Sequence, residues 1–169
     1  TSGDAILAED CDGIVIQDNF AIACGQPDLS APPRAMFIVF APVGQSHIFG
    51  NAASGSTGAG FQILPPSFGL DTPWTAASLA PQIEFANNTA HSNANGLQVE
   101  TLGSAAARLR LTVHGFTAYL NRQHGAVFQH GEVHVDRSRF LANSLTNVLV
   151  AHGRSLRLEI HRTVVQMRL

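Results

Sequence analysis

The sequence predicts an all-β fold, a parallel β-helix in which short strands wind into stacked coils of about 22 residues. Three observations predict it. A polar turn pattern recurs along the chain, apolar and polar residues alternate between the turns, and helical periodicity is almost absent. A single coil cannot bury its apolar side, whereas stacked coils share one core, so a repeat of this length indicates a solenoid.

The recurring turn has a polar residue followed, after a short gap, by Gly or Asn and an apolar, any, apolar triplet. Aligning its four copies, at 52–63, 89–99, 118–128 and 140–150, produces two columns: Ser56, Asn93, Asn121 and Asn143 in one, and Gly60, Gly96, Gly125 and Asn147 in the other. Asn tolerates the left-handed conformation and its amide can hydrogen-bond along a stack. We therefore expect Asn143 at a corner of the coil and Phe140 in the core.

Taken in order, the chain begins with a short strand in which Ile14 and Ile16 alternate with Val15 and Gln17. The apolar run 36–40, bounded by prolines, predicts a fully buried strand. Four prolines and the only Trp lie in 64–81, which predicts a surface loop projecting from the stack. We expect residues 1–169 to form a single β-helix segment of a larger protein, with the rest of its polypeptide stacked at both ends.

The clearest alternation lies in the C-terminal part, where the inward residues are Leu109, Leu111, Val113, Val133, Val135, Leu156, Leu158 and Ile160. A nearly constant spacing along the chain sets Val113, Val135 and Leu158 in one column. That register predicts two outward groups, one of Thr112, His134 and Arg157 and one of His114, Asp136 and Glu159. Such groups are plausible acid and base neighbours, although polar ladders also serve simply to solvate a sheet.

Charge is distributed unevenly, although the net charge is only -2. Residues 1–100 contain nine acids and one Arg, whereas residues 101–169 contain nine Arg and three acids. A basic half favours anionic partners such as an acidic glycan or protein, and Arg110, His134 and Arg157 are the candidate ligand-binding residues. The alternative is that Arg only decorates outward strand positions. We expect no nucleic-acid partner, and no apolar run is long enough to predict a membrane contact.

Two further features have alternative interpretations. Cys11 and Cys24 are the only cysteines: they pair if the protein is extracellular, or each is a small buried hydrophobe. Asn87 begins the sequon Asn87-Asn88-Thr89, and is either glycosylated or buried in the corner ladder. No metal-binding, nucleotide or dinucleotide motif is present, so we expect no cofactor and no metal site.

A catalytic interpretation rests on His and Arg residues near the corners. His124 with Arg122 and Glu132 is the candidate catalytic group, and His91 is a further candidate. A histidine base with a cationic neighbour and an acid suits polysaccharide chemistry.

The order of motifs resembles a known family. The segments NNTAHSN, YLNRQHGA and VHVDRSRFLAN, within 48–150, are similar to the β-helix region of the family of the cell-migration-inducing hyaluronan-binding protein, the transmembrane hyaluronidase and fibrocystin. The resemblance implies a right-handed parallel β-helix in a large extracellular or cell-surface protein. Members differ in activity: some depolymerise hyaluronan, whereas fibrocystin-like members are ciliary or cell-surface receptors.

Two functions are therefore expected. The first is a structural or interaction module that binds glycans, and the second is part of a polysaccharide-degrading enzyme with an open groove along one face. The first is favoured because the predicted columns hold no cluster of carboxylates.

Overall fold

A computed structural model describes residues 5–9, 13–22, 35–40, 44–64, 82–100, 109–129, 131–151 and 156–167. These residues form eighteen short strands and no helix. The strands are β1 (Ile6–Glu9), β2 (Val15–Gln17), β3 (Phe20–Ile22), β4 (Phe37–Phe40), β5 (Gln45–Phe49), β6 (Ala52–Ser54), β7 (Ala59–Leu64), β8 (Gln82–Ala86), β9 (Thr89–His91), β10 (Asn95–Val99), β11 (Arg110–His114), β12 (Thr117–Tyr119), β13 (His124–Phe128), β14 (Gly131–Asp136), β15 (Arg139–Leu141), β16 (Thr146–Val150), β17 (Leu156–His161) and β18 (Val164–Gln166).

Every third strand pairs in parallel, which produces three sheets of six strands. The first sheet has the order β1-β4-β7-β10-β13-β16, the second β2-β5-β8-β11-β14-β17 and the third β3-β6-β9-β12-β15-β18. Each set of three successive strands is one coil, so the described residues build six coils. The predicted parallel β-helix is confirmed.

The length of a coil varies more than a constant repeat would allow. Val113 pairs with Val135 in a short coil, whereas Ile48 pairs with Phe85 in a much longer one. The additional residues lie between a strand of the first sheet and the next strand of the second sheet, as in the segments 65–81 and 101–108. The predicted projecting loop at 64–81 falls, apart from Leu64, outside the described residues.

The core is a column of phenylalanine rings along the axis of the stack. Phe37 stacks on Phe61 with 4.8 Å between ring centroids, and Phe61 meets Phe85 edge-on at 5.0 Å. The column continues through Phe116 to Phe140, which is fully buried as predicted. Rings in contact contribute beyond the area that they bury, so this column ties successive coils together.

Polar ladders run along both ends of the third sheet. At the end that joins the first sheet, the Oδ1 atoms of Asn93, Asn121 and Asn143 accept the backbone N–H groups of Ser56, Asn93 and Asn121, respectively. This is the predicted corner column. A second ladder, which the sequence pattern did not reveal, joins Asn19, Asn51 and Asn88 at the other end. One member lies in each of the first three coils, and the buried amides of Asn51 and Asn88 satisfy backbone groups of the preceding coil.

The predicted glycine column is also confirmed. Glycine is needed there because a Cβ atom would have little space at the corner. A Cβ atom on Gly60 would lie 3.0 Å from the carbonyl oxygen of Gly96, and one on Gly125 would lie 2.7 Å from Nδ2 of Asn143. The Asn ladder and the glycine column therefore depend on each other.

Inward positions become exposed in the last coil. Ile160 pairs with the buried Val135 and Val165 with the buried Phe140, yet they are 43% and 53% exposed. In the earlier coils, the equivalent apolar surface is buried against the next coil of the stack. Within the described part of the chain, no helix is long and apolar enough to cross a membrane.

Candidate functional site: a polar groove on the second sheet

The outward side chains of the second sheet form three columns, in which all but Phe49 and Ala86 are polar or charged. Successive strands are about 4.8 Å apart, so side chains in register touch. The columns are Gln45, Gln82, Arg110, Glu132 and Arg157; then His47, Glu84, Thr112, His134 and Glu159; then Phe49, Ala86, His114, Asp136 and His161.

Glu132 brings the three predicted ligand-binding residues together. Its carboxylate lies 3.4 Å from Nε of Arg110, 3.6 Å from a terminal nitrogen of Arg157 and 3.5 Å from Nε2 of His134. One carboxylate thus holds two guanidinium groups and an imidazole on adjacent strands. All four side chains remain partly exposed, so the arrangement is available to a ligand.

Glu159 forms a second cluster on the neighbouring column. It accepts hydrogen bonds from Arg157 at 2.7 Å and lies 3.1 Å from Nδ1 of His134. The hydrogen bond from Arg157 lowers the pKa of Glu159 below its ordinary value. His134 therefore lies between two carboxylates, Glu132 and Glu159.

An open groove crosses four strands of this face. It encloses about 580 Å³ and is lined by Gln45, Gln82, Ile83, Glu84, Arg110, Thr112, Glu132 and His134. Glu84 is held at one side by His47, whose Nδ1 lies 3.0 Å from the carboxylate. Seven of the eight lining side chains carry amide, hydroxyl, imidazole or charged groups, so the groove offers many hydrogen-bond donors and acceptors.

The predicted register is wrong in the last coil. Val133 pairs with Leu158 and Val135 with Ile160, so Glu159 follows His134 and His161 follows Asp136 in their columns. The connection from β16 to β17 is longer than the one from β13 to β14. The additional residues lengthen this coil and move Arg157 beside Glu132.

The candidate catalytic group is not assembled. His124 begins β13, whereas Glu132 lies beyond the other end of that strand, which is about 13 Å long. His124 lies 2.7 Å from the hydroxyl of Thr146, and burial lowers its pKa. Arg122 donates to the carbonyl oxygen of Ser56 at 2.6 Å, at the same corner as His124.

His91 is part of the third sheet. Its ring stacks on Tyr119 with centroids 4.8 Å apart, and its Nδ1 lies 3.3 Å from the hydroxyl of Ser54. The three side chains are in register on adjacent strands. His91 is therefore a member of an outward ladder and is separate from the groove.

Asn87 is exposed, and its neighbour Asn88 occupies the buried ladder position. The alternative that Asn87 is buried in the ladder is therefore wrong, and its glycosylation stays a prediction. Cys11 and Cys24 lie outside the described residues. Among the residues that are described, no group of three His, Cys, Asp or Glu side chains is placed to hold a metal ion.

Comparison with protein-family models, with curated proteins and with solved structures found no match. The family resemblance therefore stays a prediction.

Gln45, Gln82 and Glu84, which line the groove, were missed because their positions beside Arg110 and Thr112 depend on loops of unequal length. The signal that was present is their alternation with inward residues in 45–49 and 82–86.

Proposed function

We propose that this chain is a binding module of an extracellular or cell-surface protein, and that the groove on the second sheet binds an extended polysaccharide. The groove itself carries the proposal. It spans β5, β8, β11 and β14, about 14 Å across the strands, and seven of its eight lining side chains are polar or charged. Sites for apolar small molecules are concave and mostly hydrophobic, so a polyhydroxylated chain fits this surface better.

The charges of the groove also suit a sugar ligand. Arg110 is paired with Glu132 and His47 with Glu84, so the charged groups are held in place by each other. Gln45, Gln82 and Thr112 lie between them in register and supply neutral hydrogen-bonding groups. Side chains that are already ordered lose less conformational entropy when a ligand binds.

Binding to a panel that contains hyaluronan, pectin, alginate and an uncharged polysaccharide tests the proposal. The double substitution Gln82→Ala/Thr112→Ala should weaken binding by at least about tenfold, which corresponds to two lost hydrogen bonds. The matched control is Thr117→Ala/Gln166→Ala, which removes the same two side-chain types from the outer face of the third sheet. No binding by the intact protein, or equal binding by the two double variants, would refute the proposal.

A second candidate function is cleavage of the bound polysaccharide. Its support is that Glu84 and Glu132 line the same groove. Two strand spacings and an offset of two residues separate their Cα atoms by about 12 Å. His47 holds the Glu84 carboxylate on the side of β8 away from Glu132, so Glu84 must leave that contact before the carboxyl groups approach the separation of about 6.5–9.5 Å that inverting glycoside hydrolases use.

Release of reducing ends from the same panel tests this candidate. Glu84→Gln and Glu132→Gln should each lower the rate by at least about a hundredfold while binding is retained, because each would remove the acid or the base. His124→Ala should leave the rate unchanged, since His124 lies at another corner. An intact protein that binds polysaccharide without cleaving it would exclude the enzyme.

The expectation that further polypeptide stacks on the coils stays a proposal. It is supported by the exposed apolar side chains of the last coil, Ile160 and Val165, which occupy inward positions.

A further inference from the structure

One corner residue in each coil, between the second and third sheets, has a positive φ angle. The six residues of this column are Asp18, Gly50, Asn87, Gly115, Arg137 and Arg162. The first four are of the types that adopt this conformation most readily. Arg137 and Arg162, with φ of 46° and 43°, are not, because a long side chain with a Cβ atom is strained there. Two adjacent coils thus have a strained arginine where the other four have aspartate, asparagine or glycine.

The two arginines converge on one carboxylate. Arg162 donates from Nε to Oδ1 of Asp136 and from a terminal nitrogen to Oδ2, both at 2.9 Å. Arg137 donates from Nε to Oδ2 at 3.0 Å, and His114 lies 3.5 Å from the same oxygen. Asp136 therefore holds two guanidinium groups side by side against their mutual repulsion.

Positively charged side chains outnumber carboxylates at this corner, whereas they do not in the groove. Two guanidinium groups face one carboxylate, and the exposed Arg139 follows two residues after Arg137. The side chains of Arg137 and Arg162 are 60% and 70% exposed, so their remaining donors reach solvent. Paired guanidinium groups bind carboxylate, sulfate and phosphate through parallel hydrogen bonds.

The corner also adjoins the groove. Asp136 follows His134 by two residues on β14, a distance of about 7 Å along the strand. A polysaccharide lying across the second sheet would thus place a substituent of one sugar over the corner.

We infer that Arg137 and Arg162, aligned by Asp136, form an oxyanion site that holds the carboxylate or sulfate group of an acidic polysaccharide bound in the groove. The inference rests on the proposed function and adds to it a preference for acidic over neutral ligands. Positive φ alone does not mark the site, since Leu120 and Ala142 have it at the other corner. The convergence of both guanidinium groups on Asp136 marks it.

Replacing the strained arginines with glycine separates binding from stability. Arg137→Gly/Arg162→Gly restores the residue type that Gly50 and Gly115 provide in the same column, so the fold should be retained. Arg137→Asn/Arg162→Asn is a second variant that tolerates positive φ. The matched control is Leu120→Gly/Ala142→Gly, which changes two uncharged positive-φ residues at the other corner.

Two probes distinguish the corner from the groove. Titration with sodium sulfate, against sodium chloride at equal ionic strength, should saturably shift the NMR signals of the backbone N–H groups of residues 136–139, which every variant retains. Sulfate binding should disappear in both arginine variants and persist in the control. The preference for hyaluronan over an uncharged polysaccharide should fall at least about tenfold, a loss of about 1.4 kcal/mol.

Failure to bind sulfate, or equal sulfate affinity in the arginine variants and the control, would overturn the oxyanion site. Sulfate binding without any polysaccharide binding would refute the proposed function and support the corner as an oxyanion site. Polysaccharide binding with no acidic preference would refute the corner alone.

Discussion

Oδ1 of Asn143 accepts two hydrogen bonds from Asn121, one from its backbone N–H at 3.1 Å and one from its side-chain amide at 2.9 Å. Asn121 repeats the relationship with Asn93 of the preceding coil. Each asparagine therefore satisfies a backbone group and a side chain of its neighbour directly. The ladder makes the corners of successive coils interdependent.

The first prediction concerns this ladder. Asn121→Ala should lower the free energy of unfolding by about 3 kcal/mol, because it leaves the Asn93 N–H and the Ala90 carbonyl without their partners. Asn121→Asp should lower it at least as much, since a carboxylate oxygen would face the Ala90 carbonyl. Denaturant unfolding measures both.

The exposed neighbour Gln123 provides the control for the ladder. Gln123→Ala should change stability by less than about 0.5 kcal/mol. A loss for Asn121→Ala no larger than this would contradict the ladder's role.

The ladder and the glycine column were predicted from sequence because Ser56, Asn93, Asn121 and Asn143 each stand four or five residues before the next apolar triplet. No loop intervenes between that corner and the strand of the first sheet that follows, so the pattern keeps its phase. The second sheet behaves differently. Loops of variable length precede its strands, and Val135, which pairs with Ile160, was therefore aligned with Leu158 instead.

The candidate site was predicted in part for the same reason. Arg110, His134 and Arg157 do meet, but through Glu132 and in a register that the sequence did not reveal. His124 and Glu132 are close in sequence but are separated in space by the length of β13. In a solenoid, residues a few positions apart along an extended strand diverge, whereas residues a whole coil apart touch.

The second prediction compares two reasons why replacing a glycine with alanine lowers stability: lack of space for the Cβ atom and strain of a backbone with positive φ. A Cβ atom on Gly96 would clash with the carbonyl oxygen of Gly125 and lie 3.0 Å from Cβ of Ala118. Gly96→Ala should therefore cost about 3 kcal/mol of stability. Gly13→Ala, at a φ of 67° with nothing within 4 Å of the new Cβ, should cost only about 1 kcal/mol, from strain. Equal losses in thermal unfolding would show that crowding at the corner is unimportant.

The third prediction concerns a buried hydroxyl. Oγ of Ser46 is fully buried at an inward position and has no hydrogen-bond partner. Ser46→Ala should raise the free energy of unfolding by about 1 kcal/mol, because an unsatisfied polar atom leaves the core. The control is Ser138→Ala: its Oγ accepts from the Phe116 N–H and donates to the Asp136 carbonyl, so this change should destabilise by about 1 kcal/mol. A loss of stability in both variants would contradict the prediction.

The fourth prediction concerns stability at acidic pH. Hydrogen bonds from Arg137 and then from Arg162 lower the pKa of Asp136, and a hydrogen bond from Arg157 lowers the pKa of Glu159. The folded state therefore favours both carboxylates over their protonated forms. Their contribution is complete above an ordinary pKa of about 4 and is lost as the pH falls through the lower folded values. Asp136→Asn should flatten the decline of Tm below about pH 4, and an unchanged decline would contradict it.

The fifth prediction concerns a second loss of stability, near pH 6. Burial lowers the pKa of His124, so the unfolded chain takes up a proton before the folded protein does. The stability associated with neutral His124 is complete above an ordinary pKa of about 6.5 and declines as the pH falls below it. Tm should therefore fall between about pH 7 and pH 5.5, and His124→Gln, which retains a partner for Thr146, should reduce that fall. His161→Gln, on the exposed last coil, is the control and should leave the fall in place. If the fall in Tm is as large in His124→Gln as in His161→Gln and the unaltered protein, burial of His124 does not limit its protonation.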